Sequence, residues 1–239
     1  MTTLPPPCPA CQSSAVELTG SKNNCTIHHC TSCGTYYASE CDPAAVAALY
    51  QEYARTQNYS GKSDKKMRRS RRRLAMLRKR FGGKTFLDYG CNLGYAVEAA
   101  REQGYEALGF DIDAPTVERA RVLFPDCHFR YDNLVALEGK IDLLYCAEVI
   151  EHVPDTRAFA AQLARLLSPG GVLFLTTPDG GHWLRTRNFL NWNMVIPPEH
   201  LVWLNRRSIR LVLENAGLSD VRFRLNLKPG LRVFARKAA

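Results

Sequence analysis

The sequence predicts an α/β fold: a largely parallel sheet with helices on both faces, preceded by a small module stapled through cysteines. Three observations carry this reading. From Lys84 onward, apolar runs of strand length alternate with helix-forming stretches, the pattern of a parallel sheet covered on both sides. Within that region Phe86-Leu87-Asp88-Tyr89-Gly90-Cys91-Asn92-Leu93-Gly94-Tyr95 runs apolar to an acid, breaks into glycines and continues into the alanine-rich Ala96 to Glu102, hence strand, tight turn and helix. Near the N-terminus, Cys8-Pro9-Ala10-Cys11 and Cys30-Thr31-Ser32-Cys33 form two Cys-x-x-Cys knuckles.

Eighteen residues separate the knuckles, a spacing that suits a four-cysteine zinc ribbon. Cys8, Cys11, Cys30 and Cys33 would hold one tetrahedral Zn2+, and a closed thiolate set leaves no position for catalysis, so the ion is structural. Cys25, His28, His29 and Cys41 lie nearby as spare donors. The nine cysteines are odd in number and unevenly spread, which argues against a disulfide framework and for thiols in a reducing compartment. No apolar stretch approaches the roughly 20 residues that span a bilayer. Met1 to Pro7 also lacks the regions of a signal peptide. The expectation is a cytoplasmic protein with no membrane partner.

The formal net charge is +9, and eleven Lys or Arg against the single acid Asp64 fall between Lys62 and Arg80, so the rest of the chain is close to neutral. Asp42-Pro43 reads as N-cap and first residue of a helix through Tyr50 toward Tyr53. The polar stretch Gln57 to Ser63 then interrupts it as a loop, and Met67, Leu74, Leu77 and Phe81 give a second helix one apolar stripe among arginines. A helix packed on the main domain with a solvated basic face is preferred to a nucleic-acid contact, because no aromatic residues interleave with the arginines. Attraction of a phosphate-bearing small substrate is a third reading. The chain thus divides into residues 1–41, a helical linker or lid at 42–83, and a domain at 84–239.

In that last domain the first strand ends at Asp88. The second, Tyr105 to Asp111, places an acid about twenty residues past the first glycine, where it can accept both hydroxyls of a ribose. His128 to Tyr131, Ile141 to Cys146 and Gly171 to Thr176 are the next three strands. A helix from Asp155 to Leu167 is closed by Ser168-Pro169-Gly170-Gly171. Ser208 precedes a helix over Ile209 to Ala216, and Val221 to Leu227 with Leu231 to Ala235 form a closing antiparallel hairpin, which brings the strands to seven. Ligands of such sheets lie beyond the carboxyl ends of the strands, where Asp88, Gly90, Asp111, Asp132 and Cys146 fall. The glycine turn lacks the middle glycine of a dinucleotide fingerprint, since Asn92 stands there, so a pyrophosphate would be poorly cradled.

Asp88 to Gly94, Asp111, Cys146-Ala147-Glu148-Val149-Ile150-Glu151-His152-Val153 and Leu167-Ser168-Pro169-Gly170-Gly171 together resemble a class I S-adenosylmethionine-dependent methyltransferase from about Lys84 to the C-terminus. The nearest flavour is the ubiquinone-biosynthesis O-methyltransferases. The resemblance implies a Rossmann-like seven-stranded sheet, Gly90 and Gly94 around the methionine end of the cofactor, Asp111 on the ribose, and Ile112 and Asp132 flanking the adenine. It also explains the missing glycine, because this cofactor has no pyrophosphate. In the ubiquinone-type enzymes the residues matching Glu148, Glu151 and His152 can serve a divalent metal. Many relatives carry such a Glu-His pair without metal, and that reading is preferred. His152 is then a candidate base, or a structural histidine at a helix start.

After the fifth strand a long connection carries His182, Trp183, Phe189, Trp192, Met194 and His200; its aromatic residues wall an acceptor or pack on one another, and its two histidines are further base candidates. An Asn-Pro-Pro-Tyr-like segment or a Pro-Cys pair after the fourth strand is absent, which argues against amino-group methylation of adenine or glutamine and against cytosine C5 chemistry. Three functions remain: an O-directed methyltransferase of a small-molecule acceptor such as a saccharide or secondary metabolite, which is the preferred reading; an RNA or protein methyltransferase docking through ribbon and basic helix; and a non-enzymatic binding module.

Overall fold

The computed structural model describes residues 5–44, 46 and 63–239. Strands β1 (Val16–Lys22), β2 (Cys25–Cys30) and β3 (Tyr36–Ser39) come first, followed by the helix α1 (Ser63–Phe81). The main domain then alternates β4 (Thr85–Tyr89), α2 (Tyr95–Glu102), β5 (Glu106–Phe110), α3 (Ala114–Leu123), β6 (His128–Arg130), β7 (Ile141–Ala147), α4 (Thr156–Leu166) and β8 (Leu167–Pro178). It closes with β9 (Val202–Trp203), α5 (Arg206–Asn215), β10 (Leu218–Phe223) and β11 (Gly230–Lys237).

Seven strands form one sheet in the order β10-β11-β8-β7-β4-β5-β6, with the β10–β11 and β11–β8 pairings antiparallel and the other pairings parallel. Neighbouring residues of each central strand serve opposite faces, as the pleat requires. Phe86, Leu143, Tyr145 and Phe174 meet Leu74 and Leu77 of α1, Val97 of α2 and Val117 of α3. Leu87, Leu144, Leu173 and Leu175 meet Phe159 and Leu163 of α4 and Ile209 and Val212 of α5. Helix α1 is thereby a packed member of the domain: Leu74 and Leu77 are fully buried, each burial being worth about 2 kcal/mol. Arg68, Arg69, Arg71 and Arg72 are exposed, with Arg71 paired to Glu102 at 2.5 Å, while Arg73 turns onto the sheet against Tyr145 and Phe174.

Several boundaries differ from the sequence reading. Helix α5 starts three residues before Ile209, because Asn205 is the N-cap and its side chain and that of Ser208 cap each other's backbone reciprocally. Strand β8 begins at Leu167, where Ile141 of β7 pairs with it, and β10 ends at Phe223, leaving Leu225 and Leu227 exposed. Asp42 accepts the Ala44 N–H as expected of a cap; the rest of the helix toward Tyr53 and residues 57–62 of the expected loop lie outside the described residues.

The ribbon does not form its sheet alone. β1, β2 and β3 pair antiparallel and β9, from the long connection, adds the fourth strand. That connection therefore lies mainly against the ribbon: Phe189, Trp192, Val195 and Trp203 bury with Ile27, and Tyr36 stacks on Phe189 with ring centroids 3.8 Å apart. Trp183 stays exposed. One expectation is corrected: Cys25 and Cys41 are joined in a disulfide. The pairing of Thr26 with Ser39 brings the two ends of the β2–β3 hairpin side by side, so neither is a spare metal donor. His28 bonds Ser39 at 2.8 Å and His29 stacks on Tyr36.

Candidate active site

The turn after β4 meets the turn after β5 at the carboxyl edge of the sheet. Gly90, Asn92 and Gly94 take φ of 83°, 48° and 81°. A Cβ on Gly90 would lie 2.4 Å from Val149 Cγ2, and one on Gly94 would lie 2.5 Å from Phe129 Cζ. Both glycines are thus demanded by packing as well as by backbone conformation. The loop's N–H groups are all taken within the protein: Gly90 and Cys91 donate to the Phe110 carbonyl at 2.8 and 2.9 Å, Asn92 to Asp111 Oδ2 at 2.9 Å, Leu93 to Asn92 Oδ1 at 2.8 Å, and Gly94 to the Cys91 carbonyl at 2.9 Å. None is left to cradle a pyrophosphate.

Asp111 follows β5 and is fixed twice, Oδ2 by Asn92 N–H and Oδ1 by Asp113 N–H at 3.1 Å. Each oxygen keeps a lone pair for one hydroxyl of a vicinal diol. Ile112 beside it is 78% exposed, an apolar side chain available to the face of a base. Asp132 is held instead by a bidentate pair with Arg130, both contacts at 2.7 Å, which lowers its carboxyl. Asp88 lies beneath the loop, where burial and then the Asp111 charge push it up to about 8. Cys146 corrects the sequence reading: its side chain is 0% exposed and packed with Leu144 and Leu175 on the α4 side, since the pleat turns it away from the edge. Its thiol is driven well up by burial. The loop, Asp111 and Ile112 fit a nucleoside with a free ribose and no diphosphate, as S-adenosylmethionine is.

Across the edge, a short turn at Ile150–His152 after β7 presents the second group. Glu148 sits at φ 57°, held by its N–H to the Thr176 carbonyl (2.8 Å) and by Thr176 Oγ1 donating to its Oε1 (2.6 Å). His152 Nδ1 donates to the Glu199 carbonyl at 2.7 Å and His200 Nδ1 to the Met194 carbonyl at 2.9 Å. A ring that donates through Nδ1 to a carbonyl keeps Nε2 as an acceptor in its neutral form. The rings stand edge to face with centroids 4.8 Å apart; His152 is half-buried and His200 buried, its pKa lowered by burial and by His152. His182 lies elsewhere, with Nε2 3.3 Å from the Asn226 carbonyl and Nδ1 accepting from Leu184 N–H, so both its nitrogens are engaged.

Glu148, Glu151 and His152, the metal set of the less favoured reading, are not the three brought together. Glu151, His152 and His200 place donor atoms within 4.8 Å of one another, while Glu148 takes Thr176. Glu151 is fully buried, Oε2 accepts from Thr177 Oγ1 at 2.9 Å, and among the described residues Oε1 has no hydrogen-bond partner. Burial and the Glu148 carboxylate push it up to about 8. His200, forty-eight residues from His152, joins the site because Leu201 N–H bonds the Glu151 carbonyl at 2.7 Å.

In the ribbon, Cys8, Cys11, Cys30 and Cys33 place their sulfurs within 4.8 Å of one another, with Cys8–Cys33 and Cys11–Cys30 at 3.6 Å. Sulfurs about 2.3 Å from a tetrahedral zinc stand about 3.8 Å apart, so the set fits that ion. The hydrogen bond from Cys8 holds the Cys33 thiol down to about 4 against burial.

A methyltransferase-domain family matches residues 56–222, more than half of the chain. A probable S-adenosylmethionine-dependent methyltransferase of Mycolicibacterium smegmatis is 30% identical over 141 residues, 58% of this chain and 53% of the relative. A ubiquinone biosynthesis O-methyltransferase of Pseudomonas paraeruginosa is 36% identical over 103 residues, 40% of this chain and 44% of the relative. The chain thus spans about half the length of these curated relatives. The crystal structure of an S-adenosylmethionine-dependent methyltransferase from Mesorhizobium loti shares the fold, with a TM-score of 0.57 at 18% identity over 70% of this chain and 96% of that one. With the family match covering the sheet and its glycine turn, the chain belongs to the methyltransferase-domain family.

Proposed function

We propose that the chain methylates a hydroxyl of a small-molecule acceptor, a saccharide or secondary metabolite, with His152 as the base. When bound, S-adenosylmethionine supplies an electrophilic methyl group on a positive sulfur. Asp111 and Ile112 would hold its nucleoside end, and the Gly90 to Gly94 turn its methionine end. The carrying observation is the tautomer of His152: Nδ1–H donates to the Glu199 carbonyl, which leaves Nε2, on the more open of the two edge-to-face rings, to accept the acceptor's hydroxyl proton. The packed edge aligns the two reactants for in-line attack. Cys8, Cys11, Cys30 and Cys33 hold a structural zinc in this reading.

The orphaned Glu151 Oε1 favours a second reading, in which Glu151, His152 and His200 hold a divalent cation that polarises the hydroxyl in place of a base. The test offers catechols, hydroxybenzoates and hexoses to the full chain with S-adenosylmethionine, reading S-adenosylhomocysteine release and product mass, with and without Mg2+ or Mn2+. The expected product carries the methyl on oxygen, and His152→Gln lowers kcat about 100-fold with KM little changed. Methylation on nitrogen, or an unchanged kcat, overturns the base assignment; strict dependence on the added ion selects the second reading.

A further inference from the structure

We propose that the acceptor carries a phosphate, held by Arg69, Arg73, Arg224 and Arg232 beside the carboxyl ends of β7 and β8; this rests on the small-molecule reading above. Arg69 and Arg73 are one turn apart on the same face of α1. Arg73 donates to Tyr145 Oη and lies 5.7 and 5.5 Å from the ring centroids of Tyr145 and Phe174. Arg232 stands opposite Thr176 of β8, and Thr176 opposite Ala147 of β7. Two strand spacings, about 10 Å, therefore separate Arg232 from the end of β7, where the turn carrying His152 begins. Two residues from Phe234, whose ring packs on the α1 side, Arg232 points to that same side. Arg224 donates its N–H to the Arg232 carbonyl at 2.9 Å and brings the fourth guanidinium.

These cations are a group. Partial burial and then Arg73, Arg224 and Arg69 lower the Arg232 pKa, so all three lie within electrostatic reach of it. The acid felt by Arg73 is Asp88, which is itself largely protonated at neutral pH. Arg71, Arg101, Arg130 and Arg222 all have carboxylate partners, but among the described residues Arg69, Arg73, Arg224 and Arg232 have none. Four uncompensated guanidiniums on the face of a sheet repel one another, and a phosphoryl group, with several acceptor oxygens and up to two charges, removes that repulsion where a single carboxylate leaves most of it.

The test titrates inorganic pyrophosphate into the full chain saturated with S-adenosylhomocysteine, by calorimetry at constant ionic strength. Pyrophosphate should bind, and Arg224→Gln and Arg232→Gln should each weaken it about tenfold or more while S-adenosylhomocysteine affinity stays within about threefold. Arg69→Gln, at an exposed position, replaces any variant that fails to fold. The proposal is overturned if pyrophosphate does not bind the loaded protein, if the substitutions leave its affinity unchanged, or if S-adenosylhomocysteine affinity falls in parallel, which would assign the arginines to the cofactor's carboxylate. It is equally overturned if a short oligouridylate binds more tightly and depends as much on Arg68 and Arg72 as on the cluster, which marks an RNA surface. Failure of the wild-type chain to bind S-adenosylhomocysteine at all would instead count against the function proposed above.

Discussion

Replacing Asp111 tests the cofactor site most directly. Its two oxygens are already oriented by the Asn92 and Asp113 N–H groups at 2.9 and 3.1 Å, so a ribose meets a carboxylate that needs no reorganisation. Two hydrogen bonds to a charged acceptor are lost in Asp111→Ala, and with each net bond at about 1.5 kcal/mol the loss is about 3 kcal/mol, or about 150-fold in affinity. Asp111→Asn is the sharper variant. Whichever way the amide is turned, its NH2 faces one of the two backbone N–H donors, which leaves a donor unpaired and disturbs the glycine turn as well. We therefore expect Asn to bind S-adenosylhomocysteine no better than Ala, the reverse of the order expected from size alone. Calorimetric titration of S-adenosylhomocysteine decides it: an Asp111→Ala Kd within about threefold of wild type, or near-normal binding by Asp111→Asn, would falsify the ribose assignment.

Three further outcomes follow from the packing. Asp88 is raised from 3.8 to about 8, so its contribution to stability is fully present below pH 3.8 and is lost as pH rises through 8. At pH 7 the loss is up to about 4 kcal/mol, and Asp88→Asn should flatten the fall in melting temperature between pH 5 and pH 8; an equal fall in both proteins refutes this. Gly90→Ala should cost about 3 kcal/mol in denaturant melts from positive φ and the Val149 contact at 2.4 Å, with part of the loss recovered by adding Val149→Ala; no recovery discards the steric account. Elemental analysis should find about one zinc per chain, absent in Cys30→Ser together with a lower melting temperature, and a metal-free wild-type chain at full stability would contradict the ribbon assignment.

What the sequence made legible had local causes. The β4-glycine-α2 turn and Asp111 are read from residues close in the chain, and Cys8, Cys11, Cys30 and Cys33 from a spacing that coordination geometry dictates. The α1 stripe of Leu74, Leu77 and Phe81 was likewise readable from helical period. What escaped depends on contacts between distant segments. β9 is two residues long and has no periodicity to detect, yet it completes the ribbon sheet. His200 reaches His152 only once Leu201 N–H bonds the Glu151 carbonyl, across nearly fifty residues of chain. Arg224 and Arg232 join Arg69 and Arg73 only once β11 lies against β8. Cys146 was misread because a strand's last residues alternate between edge and core, and a single-position shift decides which.

The shared fourth strand of the ribbon ties the order of the cysteine group to that of the two histidines. Ala38 N–H holds the Leu201 carbonyl at 2.7 Å, Leu201 N–H holds the Glu151 carbonyl at 2.7 Å, and Asn205 Nδ2 holds the Cys33 carbonyl at 2.9 Å. The carbonyls of Met194 and Glu199, which fix the tautomers of both histidines, belong to the run of chain that these contacts restrain. Loosening the thiolate knuckles would therefore return conformational freedom to the proton-accepting nitrogens while leaving the Gly90 to Gly94 turn, on the far side of the edge, in place. Cys30→Ser is therefore expected to bind S-adenosylhomocysteine as the wild-type chain does while its turnover falls, and an equal loss of both would contradict this separation.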